Sequence, residues 1–377
     1  MTIATRSDAI VIGAGIVGAA CARALAREGL QVLVLDAGFA GGGTTAAGMG
    51  HLVAMDDSAE QLALTAHSLS LWQSLRHALP AAAEYDACGT IWVAEDREQL
   101  DAVAEKQRVY AEHAIASEVL DARRLYALEP NLRNGLAGGL LVPADAVIYP
   151  PRAALALLAD AQTHGAVLRE QCRVDAIVDR GVRVGSDTLR ANVIVNAAGA
   201  ESTRLTPELP IVPRKGHLAI TDRHPAFCRH QLVELGYLTS AHVMSSESVA
   251  FNVQPRATGQ VLIGSSRELV GWDSTTNRGV LRQMLERAME FMPKLARMSI
   301  VRTWTGFRAA TPDKLPLIGR WMPIQGLYIA AGHEGLGITT SLGTASLLAD
   351  LVLGRTPVVD AAAYSPMRVL AAPAVSL

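Results

Sequence analysis

The fold is decided by residues 9–36, which read AIVIGAGIVGAACARALAREGLQVLVLD. Ala9–Ile12 is an apolar run without polar interruption, a pattern typical of a strand buried on both faces of a parallel sheet. After a glycine-rich turn, residues 19–27 show the small-residue face of a packed helix, and Val32–Leu35 is a second buried strand. With Asp36 at the end of that strand, the order predicts a βαβ unit that binds a dinucleotide.

Each glycine of this unit has a structural role in a dinucleotide-binding site. Gly13 permits the tight turn, Gly15 lets backbone approach a pyrophosphate, and Gly18 lets the helix pack closely on the strand. The helix N-terminus offers N–H groups to phosphates, and Ile16 and Val17 in the turn before it are expected to contact the cofactor. The alternative is a glycine turn that serves structure alone.

The acid narrows the choice of cofactor. Asp36, followed by Ala37, can accept both ribose hydroxyls of an adenosine, and its charge would repel a 2′-phosphate. We therefore expect FAD or NAD rather than NADP.

Two internal segments favour the longer of these cofactors. Residues 41–48, GGGTTAAG, are either a second cradle for an extended flavin nucleotide or a flexible surface loop. A buried strand at 191–196 runs into a small-residue turn that can place bare backbone beside the cofactor. The cofactor contacts expected here are Thr44, Thr45, Ala47, Gly48, Met49, Ala198 and Gly199.

The C-terminal part selects FAD. Leu327–Ala331 is a predicted strand, a glycine loop follows, and a helix over residues 338–353 ends at Gly354. An isoalloxazine gains negative charge on reduction, so a helix N-terminus beside it favours the reduced form, whereas a nicotinamide would gain little. The contacts expected here are Gly332, His333, Gly335, Leu336, Gly337, Ile338 and Thr339.

The sequence resembles the FAD-dependent D-amino-acid oxidase superfamily, in the branch of glycine oxidase, sarcosine oxidase and D-amino-acid dehydrogenases. The resemblance rests on the fingerprint with Asp36 and on residues 44–48, 193–199 and 306–319, the last reading GFRAATPDKLPLIG. Within the branch it is most similar to D-hydroxyproline and D-proline dehydrogenases and to cyanide-forming glycine dehydrogenase subunits.

The resemblance implies an α/β fold with a Rossmann-type FAD-binding domain and a second α+β substrate domain on a mixed β-sheet. The FAD domain would take residues 1–80, 145–205 and 320–377, and the substrate domain 81–144 and 206–319. Strand-like segments for the second sheet are 88–94, 218–221, 248–253 and 260–264, with helices expected around 59–79 and 281–291.

The resemblance also assigns site residues. Arg308 would hold the substrate carboxylate, and a guanidinium fork does suit a bidentate grip, although pairing with Asp313 is the alternative. Gly306 would lie beside the flavin and Val174 near adenine, at a strand position.

Two histidines and three aromatic residues are further candidates. His51 follows the cradle and is expected as a pocket residue beside noncovalent FAD rather than a covalent flavin link. His333 either lines the pocket or faces solvent. The aromatic side chains are pocket walls or core, namely Tyr237, Phe251 and Trp272.

The predicted reaction is hydride transfer from the Cα of a small D-amino or imino acid to flavin N5, with cis-4-hydroxy-D-proline or D-proline as the best substrates. It needs placement rather than a protein base. None of the four lysines lies in a strand equivalent to the one that carries the oxygen-activating lysine in some relatives. This favours a dehydrogenase that passes its electrons to a carrier other than oxygen. Partner subunits could be that carrier. The alternatives are a glycine- or sarcosine-type oxidase releasing hydrogen peroxide, an FAD-dependent RNA-modifying protein and a noncatalytic flavin subunit.

Composition excludes several classes. The 377 residues are 50% hydrophobic with a net charge of -2, which predicts a folded two-domain protein and no nucleic-acid partner. The four cysteines lack metal-ligand spacing, so we expect no metal and a reducing compartment. No run reaches the roughly 18 apolar residues of a membrane span, so we expect a cytoplasmic protein.

Overall fold

The computed structural model describes residues 7–236 and 247–371. Its strands are β1 Ala9–Ile12, β2 Val32–Leu35, β3 His51–Leu52, β4 Thr90–Ala94, β5 Glu118–Asp121, β6 Gly138–Val142, β7 Ala146–Val147, β8 Val167–Arg169, β9 Ala176–Val178, β10 Gly181–Val184, β11 Asp187–Arg190, β12 Val193–Asn196, β13 Val212–Arg223, β14 Gln231–Glu234, β15 Glu247–Pro255, β16 Gln260–Glu268, β17 Ile300–Ala310, β18 Leu317–Arg320 and β19 Leu327–Ala331. Its helices are α1 Ile16–Arg27, α2 Gly43–Ala47, α3 Ala59–Leu75, α4 Arg97–Glu112, α5 Ala122–Leu128, α6 Pro150–Thr163, α7 Ser202–Leu205, α8 Arg278–Phe291, α9 Gly337–Leu353 and α10 Arg368–Ala371.

The first large sheet has six strands in the order β18-β19-β12-β1-β2-β8. All neighbours are parallel except β18, which runs antiparallel to β19. Helix α1 packs against α6 and α9. Because β1 and β2 are buried along their whole length, this sheet has the near-continuous apolar strands expected of a covered parallel sheet.

The second large sheet has eight strands in the order β17-β13-β16-β15-β14-β4-β6-β5. It is mixed, since β14 runs parallel to β4 while the other neighbours are antiparallel. Helix α8 covers part of one face, where Phe291 stacks on Phe251 with ring centroids 4.2 Å apart. The predicted α/β class with a mixed second sheet is confirmed.

Several local predictions change in the structure. Helix α1 begins at Ile16, three residues before the predicted start, because Gly15 is the extended N-cap residue. Residues 43–47 of the predicted cradle form a short helix rather than an open loop. Helix α3 ends at Leu75 and continues as a 3-10 turn over Arg76–Ala78.

The predicted division into two domains stays a prediction. Strand β18 crosses the boundary expected between residues 319 and 320, because it extends the first sheet beside β19. In the described part of the chain, every helix is too short or too polar to cross a membrane.

Candidate cofactor and substrate site

An elongated cavity of about 490 Å³ lies where the two large sheets meet. One side is formed by the carboxyl ends of β1 and β2 and by the start of α1. The other side comes from the second sheet, including Gly216, Ser265 and Arg308. Carboxyl ends of parallel strands are where α/β folds bind nucleotides, so the cavity has the place expected of the cofactor.

The end of the cavity beside α1 is held by backbone hydrogen bonds to Asp36. Its Oδ2 accepts from the N–H of Ala14 at 2.6 Å, and its Oδ1 accepts from the N–H of Gly38 at 2.7 Å. Each carboxylate oxygen has two lone pairs, so Asp36 retains acceptor capacity for ribose hydroxyls. Gly13, with φ of +103°, turns the chain here, and a Cβ on it would meet the Ala197 carbonyl at 2.5 Å.

Helix α1 begins beside the cavity with no side-chain cap at Gly15. Thr45 Oγ1 accepts from the Ile16 N–H at 2.9 Å, which leaves the following first-turn N–H groups to a ligand. Gly18 does not reach the cavity; a Cβ there would lie 1.9 Å from the Gly13 carbonyl oxygen. Gly18 therefore serves the close packing of helix on turn, as its position in the motif predicts.

Helix α2 ties the two sides of the cavity together. Thr44 Oγ1 donates to the Phe307 carbonyl at 2.7 Å, and Trp304 Nε1 donates to the Ala47 carbonyl at 3.3 Å. A Cβ on Gly306 would lie 2.4 Å from that of Ala47. The small residues of the predicted cradle thus allow a close approach between α2 and β17.

The far end of the cavity is bounded by the N-terminus of α9, which has no side-chain cap at Leu336. Gly337 and Ile338 of its first turn line the cavity. A 17-residue helix directs its positive end into this space, which suits a group that gains negative charge.

The structure brings together most of the residues predicted from the sequence. Those that line the large cavity are Gly13, Gly15, Ile16, Val17, Asp36, Ala37, Thr44, Thr45, Ala47, Gly48, Met49, His51, Val174, Ala198, Gly199, Gly306, Arg308, His333, Gly335, Gly337 and Ile338. Leu336 lines a smaller neighbouring cavity instead. In the described chain, Gly18, Gly332 and Thr339 line neither.

The two residues near α9 that miss the cavity have packing roles. Thr339 is fully buried and its Oγ1 donates to the His51 carbonyl at 2.9 Å. A Cβ on Gly332 would lie 2.7 Å from the Thr311 methyl. Val174 reaches the cavity from an extended segment between β8 and β9, so its predicted place in a strand is wrong.

His51 is a neutral hydrogen-bonding residue in the cavity wall. Its Nδ1 lies 2.5 Å from Gln231 Oε1, and Asn252 Nδ2 approaches its Nε2 at 3.3 Å. Gln231 Nε2 donates to Thr90 Oγ1 at 3.3 Å, so its oxygen is the acceptor and His51 carries its proton on Nδ1. Burial lowers the pKa of His51 to about 4, and the Arg308 charge also lowers it.

His333 is also neutral. It is buried, its Nε2 lies 3.0 Å from Thr344 Oγ1, and burial lowers its pKa to about 4. Of the two alternatives left open by the sequence, the structure places His333 in the cavity lining rather than in solvent.

Arg308 lies in the cavity wall on β17, directly opposite Arg214 of β13. Its Nη1 donates to the Ser266 carbonyl at 2.9 Å. The guanidinium lies over Gly216, where a Cβ would come within 2.4 Å of Nη1. The alternative partner for Arg308, Asp313, instead binds Arg368, with Nε and Oδ2 2.7 Å apart.

A smaller cavity of about 80 Å³ adjoins the large one, and both are lined by His51, Asn252, His333, Glu334 and Gly335. Its other charged lining residues are Asp57, Arg214, Arg267 and Lys314. Glu334 Oε1 lies 3.7 Å from Arg214 Nη1 and 3.6 Å from Arg267 Nε. Burial raises the pKa of Glu334, but the charges of Arg267, Arg308 and Arg214 outweigh this and hold it below its usual value.

Sequence reasoning did not find four residues near these cavities, namely Arg214, Arg267, Glu334 and Gly216. Arg214 and Arg267 lie on separate strands, and their spacing along the chain carries no motif. Glu334 could have been found from its place beside His333 in the C-terminal glycine loop, and Gly216 from its place among polar residues in a strand.

Of the two alternatives for the aromatic candidates, pocket wall or core, the structure places Phe251 in the core and neither Phe251 nor Trp272 in the cavity lining. Phe251 is a core residue stacked on Phe291, because its side chain faces α8 rather than the cavity. Trp272 is half exposed and contacts Phe307 with ring centroids 5.2 Å apart. Tyr237 lies outside the described residues.

Residues 8–351 match the family model of FAD-dependent oxidoreductases named DAO. The match spans most of the chain, and the chain belongs to this family. Its cofactor is FAD, and it is an oxidoreductase that acts on amine or amino-acid donors.

Among its relatives is glycine oxidase of Pseudomonas aeruginosa, 29% identical over 95% of this chain and 98% of the relative. The hydrogen cyanide synthase subunit HcnC of the same organism is 26% identical over 97% of each chain. The crystal structure of glycine oxidase from Geobacillus kaustophilus superposes with a TM-score of 0.86 at 26% identity, covering 97% of this chain and 99% of that one.

Proposed function

We propose that this protein oxidises the Cα–N bond of a small D-configured or achiral amino or imino acid and passes the electrons to a carrier other than oxygen. The observation that carries the proposal is Arg308, a guanidinium in the wall of the cofactor cavity, near neutral His51 and the start of α9. A cation at this position selects a carboxylate-bearing amine from among amines.

The cavity residues suit FAD along its whole length. Asp36 would accept the ribose hydroxyls, the first turn of α1 would donate to the pyrophosphate, and the start of α9 would face the flavin ring. When bound, FAD accepts at N5 the hydride that leaves the substrate Cα.

The chain's own contribution is positioning and charge. Arg308 would grip the carboxylate through two N–H groups and so fix the direction of the Cα–H bond. As the hydride leaves, the nitrogen lone pair forms the C=N bond and one N–H proton passes to water. Since His51 and His333 are neutral hydrogen-bonding groups, they orient the substrate without adding a second positive charge.

Two observations support an acceptor other than oxygen. None of the four lysines lines the large cavity: Lys106 pairs with Asp56, and Lys215 donates to the Thr275 carbonyl at 3.1 Å. Lys294 binds Asn131, and Lys314 lines the smaller cavity. The relative HcnC is by its name a subunit of a larger enzyme, which supports a partner that accepts electrons.

The substrate screen should begin with cis-4-hydroxy-D-proline, D-proline, D-alanine and glycine. Glycine is included because two of the relatives are named glycine oxidase. Purified holoenzyme is mixed anaerobically with each compound, and flavin bleaching identifies the substrate. Reoxidation in air is then compared with reoxidation by a quinone dye. We expect the dye to be faster; air oxidation with one hydrogen peroxide per substrate would make the protein an oxidase.

We further propose that FAD is held noncovalently. Both ring nitrogens of His51 already have hydrogen-bonding partners in the protein, since Nδ1 donates to Gln231 Oε1 and Nε2 accepts from Asn252 Nδ2. A ring nitrogen engaged in this way is a poor candidate for a bond to the flavin.

A further inference from the structure

We propose that the smaller cavity binds a second carboxylate of the substrate through Arg214 and Arg267, so that the preferred substrate is an amino acid with two carboxylates. This inference rests on the proposed function, in which Arg308 holds the first carboxylate. Within the proposed class of small amino and imino acids it favours dicarboxylates over the cyclic imino acids that the sequence resemblance implies.

The first support is the place of the two arginines. Arg214 lies directly opposite Arg308 across the β13–β17 pair, and directly opposite residues of antiparallel strands have Cβ atoms about 4.5–5.5 Å apart. Arg267 comes from β16, the other neighbour of β13, and lines the same small cavity as Arg214. The two cation sites are therefore close enough for the two carboxylates of one short substrate to reach both.

The second support is charge. Arg214 and Arg267 are both 4% exposed, although an arginine at a protein surface keeps its charged head in water. Along the small cavity the cations are Arg214, Arg267 and Lys314, and the carboxylates are Asp57 and Glu334. Because Arg308 adjoins this group, a dianionic ligand is better matched to it than a monoanionic one.

The third support is the geometry around Glu334. Its Oε1 lies 3.6–3.7 Å from the two guanidinium groups, beyond hydrogen-bonding distance, and its backbone N–H donates to the Ala309 carbonyl at 2.8 Å. Glu334 thus places a shared negative charge between the arginines from the α9 side. Because both arginines line the small cavity, a ligand carboxylate bound there would accept from a guanidinium in bidentate fashion.

The space also fits. A cavity of about 80 Å³ holds several water molecules, and a carboxylate with its methylene is of the same size class. It shares lining residues such as His51 and Asn252 with the large cavity, and this closeness is what one substrate with two carboxylates would need.

The test compares matched ligand pairs that differ only in the second charge. The wild-type holoenzyme is reduced anaerobically with D-aspartate or D-asparagine and with D-glutamate or D-glutamine. Binding of succinate and of succinamate, which are not oxidised, is measured by calorimetry. We expect each diacid to be preferred over its amide by at least roughly 10-fold, in reduction rate at low concentration and in Kd.

The variants Arg214→Gln and Arg267→Gln should reduce this preference to less than roughly 3-fold, whereas Arg302→Gln, an exposed arginine on β17, should keep it. If the amides equal the diacids in the wild-type protein, the proposal is overturned, and this needs no variant to fold. Failure of the proposed function has a different signature: none of the amino acids, D-alanine and D-proline included, would then bleach the flavin.

Discussion

The two ends of the large cavity are built in opposite ways. The end beside α1 is built mainly on one continuous stretch, from Gly13 to Asp36, which backbone hydrogen bonds hold and to which Thr45 of α2 is joined at Ile16. The end beside Arg308 also includes His51 and Glu334, and these three residues come from separate parts of the chain. The first depends on backbone conformation, and the second on side-chain charge. Substitutions should therefore affect cofactor uptake at the first end and substrate affinity at the second.

The largest effect should come from Gly18→Ala at the first end. A Cβ there would lie 1.9 Å from the Gly13 carbonyl oxygen, so the helix must move off the turn that faces the pyrophosphate. We expect loss of bound FAD, measured as flavin per protein after purification, with Ala24→Ser in the same helix as control. Stoichiometric FAD in Gly18→Ala would show that the close packing is not required.

The next effect is at the second end. Arg308→Leu removes the proposed carboxylate anchor and should cost about 3 kcal/mol of substrate binding, roughly a 100-fold rise in KM. FAD content should stay unchanged, because the variant touches the substrate end. Arg302→Leu on the same strand is the control. A KM within threefold of wild type would remove Arg308 from the substrate site.

These two ends also differ in how far the sequence could predict them. The βαβ unit, Asp36 and the α9 start were predictable because local spacing and glycine positions encode them. Arg214, Arg267 and Gly216 were not, since their closeness follows from strand pairing between β13, β16 and β17. For Phe251 the sequence left pocket wall and core open, because alternation along a strand does not say which face meets the cofactor.

A smaller effect should distinguish position from charge at the second end. Gly216→Ala keeps every charge but places a methyl group within 2.4–2.8 Å of the Arg308 guanidinium atoms. The displaced guanidinium should raise KM roughly 10-fold, equal to about 1.4 kcal/mol, with little change in FAD content. A KM equal to that of the wild type would mean that Arg308 can shift and still bind the substrate carboxylate.

The pH dependence of kcat/KM should report the ionisation of the substrate amine and not that of His51 or His333. Because burial lowers the pKa values of His51 and His333 to about 4, both stay neutral between pH 5.5 and 8.5. We expect kcat/KM to rise with pH as the substrate ammonium loses its proton, with no inflection near pH 6.5. An inflection near 6.5 that disappears in His51→Gln would contradict a neutral His51.

The last prediction concerns how the flavin is attached, and here no covalent link is expected. Acid precipitation of the yellow protein should release all of the flavin into the supernatant, because His51 is engaged with Gln231 and Asn252. Flavin that remains in the washed pellet and is lost in His51→Ala would show a covalent link at that residue.

The account depends on an amine being held by its carboxylate against the cofactor. Its most direct test is anaerobic mixing of the wild-type holoenzyme with D-proline and with pyrrolidine, which lacks only the carboxylate, alongside the pair D-alanine and ethylamine. We expect at least one of the amino acids to bleach the flavin and neither amine to do so at the same concentration. Equal bleaching by acid and amine, or no bleaching by these amino acids or by D-aspartate and D-glutamate, would contradict the account.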